Sequence, residues 1–274
     1  MIDVINYHIT SACNYRCQYC FVAFQGEFPE KETALKIVSE INKFFIKNNV
    51  KGGRINIAGG EPLLCPYLND VIEQAYLLGL KVSIITNGSL LTEELISGWQ
   101  GKVEMIGISV DAVSEAVNCA IGRECQGKSL SKAQLCDIAN WIYKYGIKLK
   151  INTVVSKLNL NEDMLSLYKR MKPKRLKFLC MHVLENINSN VNELKPTQEE
   201  FLSFVEKNSY EYAKVVPEAE GSMQNSYLMI SPDGNVFLNE NGEGKTYGNC
   251  LEQELCEIFC KLPFEHDKFN LRYE

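Results

Sequence analysis

A parallel α/β fold wrapped around a polar lumen is what this sequence predicts, on three observations. Strand-like runs of alternating polarity and amphipathic helical runs take turns for about two-thirds of the chain, the pattern of repeated βα units. Successive strand-like runs place Asn, Lys or Arg on one face and mostly aliphatic residues on the other. The 274 residues, 46% hydrophobic and 23% charged, suit one α/β barrel with a large core and exclude disordered and fibrous classes.

The first run, VINYHIT over 4–10, puts Val4, Asn6 and His8 on one face and Ile5, Tyr7 and Ile9 on the other. RINIA over 54–58 sets Arg54 and Asn56 against Ile55 and Ile57. Alternation is weaker over 82–87. MIGISVD then places Gly107, Ser109 and Asp111 opposite Ile106, Ile108 and Val110. In KLKINTVV, Lys148, Lys150 and Asn152 share a face, with Leu149, Ile151 and Thr153 behind them. RLKFLCM pairs Arg175 and Lys177 against Leu176, Phe178 and Cys180, which makes six candidate strands.

Helical spacing of Leu35, Val38, Ile41 and Phe45 predicts a helix over 30–48, and that of Leu135, Ile138, Ile142 and Tyr145 another over 129–145. Gly79 and Gly146 stand where helix C-caps belong. After residue 182 the pattern changes to a polar connector, a Thr-capped helix at TQEEFLSFVEKN and a hairpin turning at Pro232, Asp233 and Gly234. We therefore divide the chain into a core, 1–182, and an extension, 183–274, packed on one end of it.

Helices covering a parallel sheet must meet its apolar face, so Asn6, Arg54, Lys150, Arg175 and Lys177 are expected to point inward. Four buried cations repel one another and lose hydration unless a polyanion neutralises them, and a triphosphate is such a group. The alternative is that they are edge positions facing water; recurrence over three strands weighs against it. Lys plus Arg total 29 against 34 Asp plus Glu, a net charge of −5, which argues against direct binding of nucleic acid. No stretch of roughly 18–20 apolar residues and no secretory signal is present, so a cytoplasmic protein without a membrane span is expected. Eleven cysteines in such a chain point to metal ligation or buried thiols rather than disulfides.

Cys13, Cys17 and Cys20 form C-x3-C-x2-C just after the first strand, where a loop can wrap a metal centre. Three thiolates on a four-iron cluster leave one iron open to a small ligand. A zinc ion completed by His8 or a distant Cys is the alternative. Directly after the second strand, GGEP at 59–62 offers glycines that let a ligand approach the backbone, and Glu61 as an anion for an amine.

With the two motifs in this order the sequence resembles the radical S-adenosylmethionine superfamily, and nearly the whole chain resembles its viperin family. The resemblance rests on NYHIT, ACNYRCQYCF, NIAGGEP, TNGSLL, ISVD, EAVNCAIGR, KINTVV, KRLKF and VPEAEGSMQNSYLMISPDG. It implies a partial (βα)6 barrel of the radical S-adenosylmethionine type, with the C-terminal extension closing one end. It also implies one 4Fe-4S cluster on Cys13, Cys17 and Cys20, the catalytic cysteines, and S-adenosylmethionine bound beside it. Tyr19, Phe21, Gly59, Gly60, Glu61, Asn87, Ser109, Arg123, Asn152 and Val154 match the positions around that cofactor. Asn6, His8, Arg54, Asn56, Lys150, Arg175 and Lys177 match the nucleotide contacts.

The implied reaction is dehydration of a ribonucleoside triphosphate to its 3′-deoxy-3′,4′-didehydro analogue, an antiviral chain terminator, begun by a 5′-deoxyadenosyl radical taking the C4′ hydrogen. Family members differ between CTP, UTP and GTP, and CTP is favoured here. An external donor of flavodoxin or ferredoxin type would supply electrons to a monomer. The chain departs from vertebrate members in FVAFQ at 21–25, in Arg54 for Lys and in Ala58 for Ser, and a prokaryotic-type homologue without their amphipathic membrane helix is expected. Cys250, Cys256 and Cys260 faintly resemble an auxiliary-cluster pattern, which leaves a peptide or RNA maturase as the second reading and a zinc-stabilised scaffold as the third. The other cysteines, Cys65, Cys119, Cys125, Cys136 and Cys180, are expected to be packing or loop thiols.

Overall fold

The computed structural model describes residues 2–22, 26, 28–184, 188–240 and 243–273. Residues 23–25 of FVAFQ and 185–187 of the polar connector thus lie outside the described residues. Six strands occupy the expected runs: β1 (Val4–Thr10), β2 (Arg54–Gly59), β3 (Lys81–Thr86), β4 (Val103–Ser109), β5 (Lys148–Val155) and β6 (Arg175–Cys180). Between them run α1 (Lys31–Lys47), α2 (Leu68–Leu77), α3 (Glu93–Gly98), α4 (Glu115–Ile121), α5 (Lys132–Lys144) and α6 (Leu165–Met171).

Period-2 alternation becomes two-sided burial. Ile5, Tyr7, Ile9, Ile55 and Ile57 are fully buried on the helix side, against Ile37, Ile41, Phe44 and Phe45 of α1 in one continuous core. Each large side chain so buried contributes roughly 1.5–3 kcal/mol. Local signals set the helix ends: Ser131 and Gln134 form a capping box at α5, and Gly79 and Gly146 follow α2 and α5 with φ of 75° and 72°.

The sheet is longer than six strands. Residues beyond 182 add α7 (Gln198–Asn208), β7 (Lys214–Glu218), β8 (Met229–Ile230), β9 (Asn235–Glu240), β10 (Glu243–Asn249), α8 (Leu255–Phe259) and α9 (His266–Tyr273). Strand order is β10-β9-β8-β1-β2-β3-β4-β5-β6-β7. From β8 to β7 neighbours are parallel; β9 and β10 run antiparallel. The extension thus adds strands at both sheet edges, and the expected hairpin at 232–234 joins β8 to β9. The Thr197 cap at α7 is present as a box with Glu200.

Register aligns the polar faces. Asn6 lies beside Asn56, Lys150 beside Gly107 and Arg175, and Asn152 beside Ser109 and Lys177. No helix among the described residues is long and apolar enough to cross a membrane.

Candidate active site

The loop after β1 carries Cys13, Cys17 and Cys20, all free thiols. It is held from two sides by main-chain hydrogen bonds. The N–H groups of Gly60 and Glu61 donate to the carbonyls of Thr10 (2.8 Å) and Ala12 (2.7 Å). On the other side the N–H groups of Arg16 and Gln18 donate to the carbonyls of Gly122 (3.1 Å) and Ile121 (2.9 Å) at the end of α4. A Cβ on Gly60 would collide with the Ala12 carbonyl, and one on Gly122 with that of Arg16; Gly122 also has φ of 80°. Gly60→Ala is therefore expected to destabilise the fold by about 1–3 kcal/mol in urea unfolding, and to lower iron loading.

Burial pushes the Cys17 thiol up to about 11, against the pull of the Arg123 guanidinium. Such a thiol keeps its proton at neutral pH until a metal displaces it. Among the described residues no three His, Cys, Asp or Glu side chains converge on a single-ion position. His8 belongs to no such group: it packs edge-on against Phe237 at 5.4 Å and lies 6.2 Å from the half-exposed Phe21, and burial lowers it to about 4. The donor set fits a cluster, in which each thiolate ligates its own iron and the sulfurs surround the group instead of meeting at one point.

Glu61 is fully buried and already engaged. Its Oε1 accepts from Leu63 N–H (3.1 Å) and Thr86 Oγ1 (2.7 Å), and its Oε2 from Asn87 N–H (2.7 Å). A carboxylate accepts about four hydrogen bonds, so room for one more donor remains. The Asn87 side chain donates to Asn14 at 2.8 Å and accepts from Ser89, tying the β3 end to the cysteine loop. Ser109, Asn87, Tyr15 and Arg123 line one small cleft.

In the sequence Asp111 stands only as a polar-face residue beside Gly107 and Ser109, outside the expected site. It is fully buried at the centre of a network that joins the cysteine loop to the ends of β4 and β5. Tyr19 Oη donates to Oδ2 at 2.6 Å, the Val154 N–H donates to Oδ1 at 2.7 Å, and Arg123 Nε forms an ion pair with Oδ2. Tyr19 heads a second apolar cluster with Ile121, Met181 and Val191, against which Cys17 and Val154 pack. Asn188 of the extension donates to the Tyr19 carbonyl at 3.2 Å.

The lumen brings together the cations expected there and adds Arg272, buried at 3% exposure on α9. One expectation needs correcting. Arg54 and Lys177 do not wait for an external anion, because Glu104 pairs with Arg54 at 2.7 Å and Glu218 with Lys177 at 2.5 Å. Glu104 is in turn shared with Lys148 at 2.8 Å. Both carboxylates come from positions outside the polar faces read in the sequence. The Arg175 guanidinium donates to the Arg272 carbonyl and lies 5.4 Å from the Tyr273 ring centre, so α9 closes the end at which the strands begin.

Five cations thus share the lumen with two carboxylates. Lys150 has no ion pair among the described residues; burial, then Lys177 and Arg175, hold it well below the usual lysine range. Among the described residues the buried Nε groups of Arg54 and Arg175 lack acceptors. Nearer the cysteine end, Asn152 is 7% exposed and its Oδ1 has no donor among the described residues. Asn56 donates to Asn6 at 3.0 Å and accepts from Ser83, while Asn6 donates to the Leu228 carbonyl at 3.3 Å. Those two amides therefore form a belt across the lumen wall.

The Radical SAM superfamily model matches residues 7–176. A S-adenosylmethionine-dependent nucleotide dehydratase of Flammeovirga pacifica is 32% identical over 98% of this chain and 93% of its own length. One of the same description from Selenomonas ruminantium is 31% identical over 98% of both. Among solved structures, native anSMEcpe with bound AdoMet aligns with a TM-score of 0.71 at 16% identity, over 100% of this chain and 84% of that one. Streptococcus suis SuiB bound to S-adenosylmethionine gives 0.70 at 14%, over 98% and 68%. These two share the fold. With a cysteine loop clamped between the GGEP turn and α4, and relatives matching along almost its entire length, this chain belongs to the viperin-like S-adenosylmethionine-dependent nucleotide dehydratase family of radical SAM enzymes.

Proposed function

We propose that this enzyme dehydrates a ribonucleoside triphosphate, CTP ahead of UTP and GTP, to the 3′-deoxy-3′,4′-didehydro nucleotide. The supporting observation is the polarity of the lumen along its axis. Lys150, with no ion pair among the described residues, and the Nε groups of Arg54 and Arg175, which lack acceptors there although both guanidinium groups are otherwise bonded, lie toward the α9 end, whereas the Asn152 Oδ1, which lacks a donor, lies nearer the cysteines. The phosphates of a nucleoside triphosphate satisfy the first set, and a hydroxyl of S-adenosylmethionine satisfies the second.

Cys13, Cys17 and Cys20 would hold one 4Fe-4S cluster. The cofactor methionine would lie along Gly59, Gly60 and Glu61, with its remaining polar groups near Ser109, Arg123, Asn87, Asn152, Tyr19, Phe21 and Val154. When bound, cluster and S-adenosylmethionine supply the hydrogen-abstracting chemistry, with electrons from a flavodoxin or ferredoxin type donor. The chain does the positioning. Lys150, Arg175, Lys177 and Arg54 hold the phosphates, the Asn6 and Asn56 amides line the sugar's path, and His8 with Phe237 walls it as a neutral ring. Held this way, the ribose stays in near-attack geometry while bulk water is kept out.

Anaerobic incubation with S-adenosylmethionine, dithionite and each nucleoside triphosphate tests this. The expected product is lighter by one water; deoxyadenosine without any dehydrated nucleotide would refute the substrate class. Lys150→Ala is expected to weaken CTP binding by about 1.5–3 kcal/mol in calorimetry, the scale of a hydrogen bond to a charged group, and to leave cytidine binding unchanged.

A further inference from the structure

Glu218 sits inside the lumen at 2% exposure and holds two cations at once. Its Oε1 lies 2.5 Å from Lys177 Nζ and 2.6 Å from Arg272 Nε. Tyr227 Oη stands within hydrogen-bond distance of both carboxylate oxygens, at 2.6 and 2.7 Å, and also of Lys177. Arg272 is bound independently of Glu218: Nη1 donates to the Ser226 carbonyl at 2.8 Å, and Nη2 to Ser226 Oγ at 2.8 Å and to the Ser222 carbonyl at 3.1 Å. Its guanidinium also lies 3.6 Å from the Tyr227 ring centre. Among the described residues Lys177 has no comparable second tether; besides Glu218 it hydrogen-bonds Tyr227 and lies over that ring.

This asymmetry has a physical consequence. A carboxylate buried with one cation cannot give that cation up without being left unpaired, a large cost in a low-dielectric interior. A carboxylate holding two, one of them fixed elsewhere, can release the mobile one and stay neutralised. We infer that Glu218 is an internal stand-in for the substrate's phosphate, from which Lys177 transfers to the incoming anion, and that Arg272 is the positioning residue that retains Glu218 and so makes the transfer possible. This rests on the triphosphate reading of the lumen. It gives α9 a role beyond closing the barrel, because the helix delivers the cation that stays behind.

The test is calorimetric binding of inorganic triphosphate to the reconstituted holoenzyme with S-adenosylmethionine present. Arg272→Gln leaves Lys177 as the sole cation on Glu218 and is expected to weaken binding by about tenfold or more, whereas Glu218→Gln frees Lys177 and is expected to tighten it several-fold. The double variant, Glu218→Gln with Arg272→Gln, should return to within about threefold of the unmodified protein. Weaker binding by Glu218→Gln, or a double variant as weak as Arg272→Gln, overturns the inference, since Glu218 would then be scaffolding or Arg272 itself a phosphate contact. A structure with triphosphate bound needs no variant: Lys177 is expected on the phosphate with the Arg272–Glu218 pair intact, and Lys177 still on Glu218 overturns it. Absence of any triphosphate binding by the unmodified protein instead removes the proposed function.

Discussion

Cys17→Ala is expected to abolish both the brown iron–sulfur chromophore and S-adenosylmethionine cleavage, with deoxyadenosine formation falling below about 1% of the unmodified enzyme, because two thiolates do not retain a four-iron cluster with an open corner. The fold should survive. Cys17 contributes its carbonyl to a turn, accepting from the Cys20 N–H at 3.0 Å, and that bond does not depend on the side chain. Alanine also keeps apolar contact with the cluster around Tyr19 and Ile121. Far-ultraviolet circular dichroism should therefore match the unmodified protein while the visible absorbance is lost; unchanged cleavage would reject the ligand assignment. Iron analysis of the unmodified chain is expected near four per molecule. Cys250 is buried in the main core and Cys256 accepts a hydrogen bond from Asn48, as packing thiols do. Iron near eight would favour the maturase reading.

The second large effect is on stability. Asp111→Ala removes the carboxylate that holds Tyr19, Arg123 and the Val154 N–H together, and leaves the mostly buried Arg123 cation without its counter-ion. Breaking a buried pair from one side costs about 3–5 kcal/mol, so urea unfolding should show a loss of that size. Combining Asp111→Ala with Arg123→Met is expected to recover part of it, since the stranded charge is gone. A loss under about 1 kcal/mol in the single variant would mean that water replaces the carboxylate and that Asp111 does not organise the cofactor side.

The parts legible in the sequence were those with a short-range signature. Alternation marked β1, β2, β4, β5 and β6, the helical period marked α1 and α5, and the cysteine and GGEP spacings marked the loop that α4 and β2 clamp. What was missed lacks such a signature. β7 reads KVVPE with a proline in it and β10 reads EGKTYGN; both are sheet edges, where no second buried face demands alternation. The counter-ions were missed for another reason. Glu218 meets Lys177 and Arg272 across long stretches of chain, and Tyr19 meets Asp111 in the same way, so no local window contains both partners. Counting only strand cations therefore overstated the positive charge awaiting a ligand. Two carboxylates correct that count: Glu218 on the extra parallel strand β7, and Glu104 at the start of β4, off the polar face that alternation marks.

The clamp on the cysteine loop is made of main-chain groups, which separates positions that can drift from positions that cannot. The main-chain amides of residues 16 and 18 seat the loop on α4 whatever their side chains, and the Gln18 side chain adds a hydrogen bond to the Ala120 carbonyl of that helix, so position 18 is held more tightly than the amide contact alone requires. Residues 60 and 122 meet opposing carbonyls with no space for a methyl group, so purifying selection should show there as invariant glycine even where neighbouring residues change.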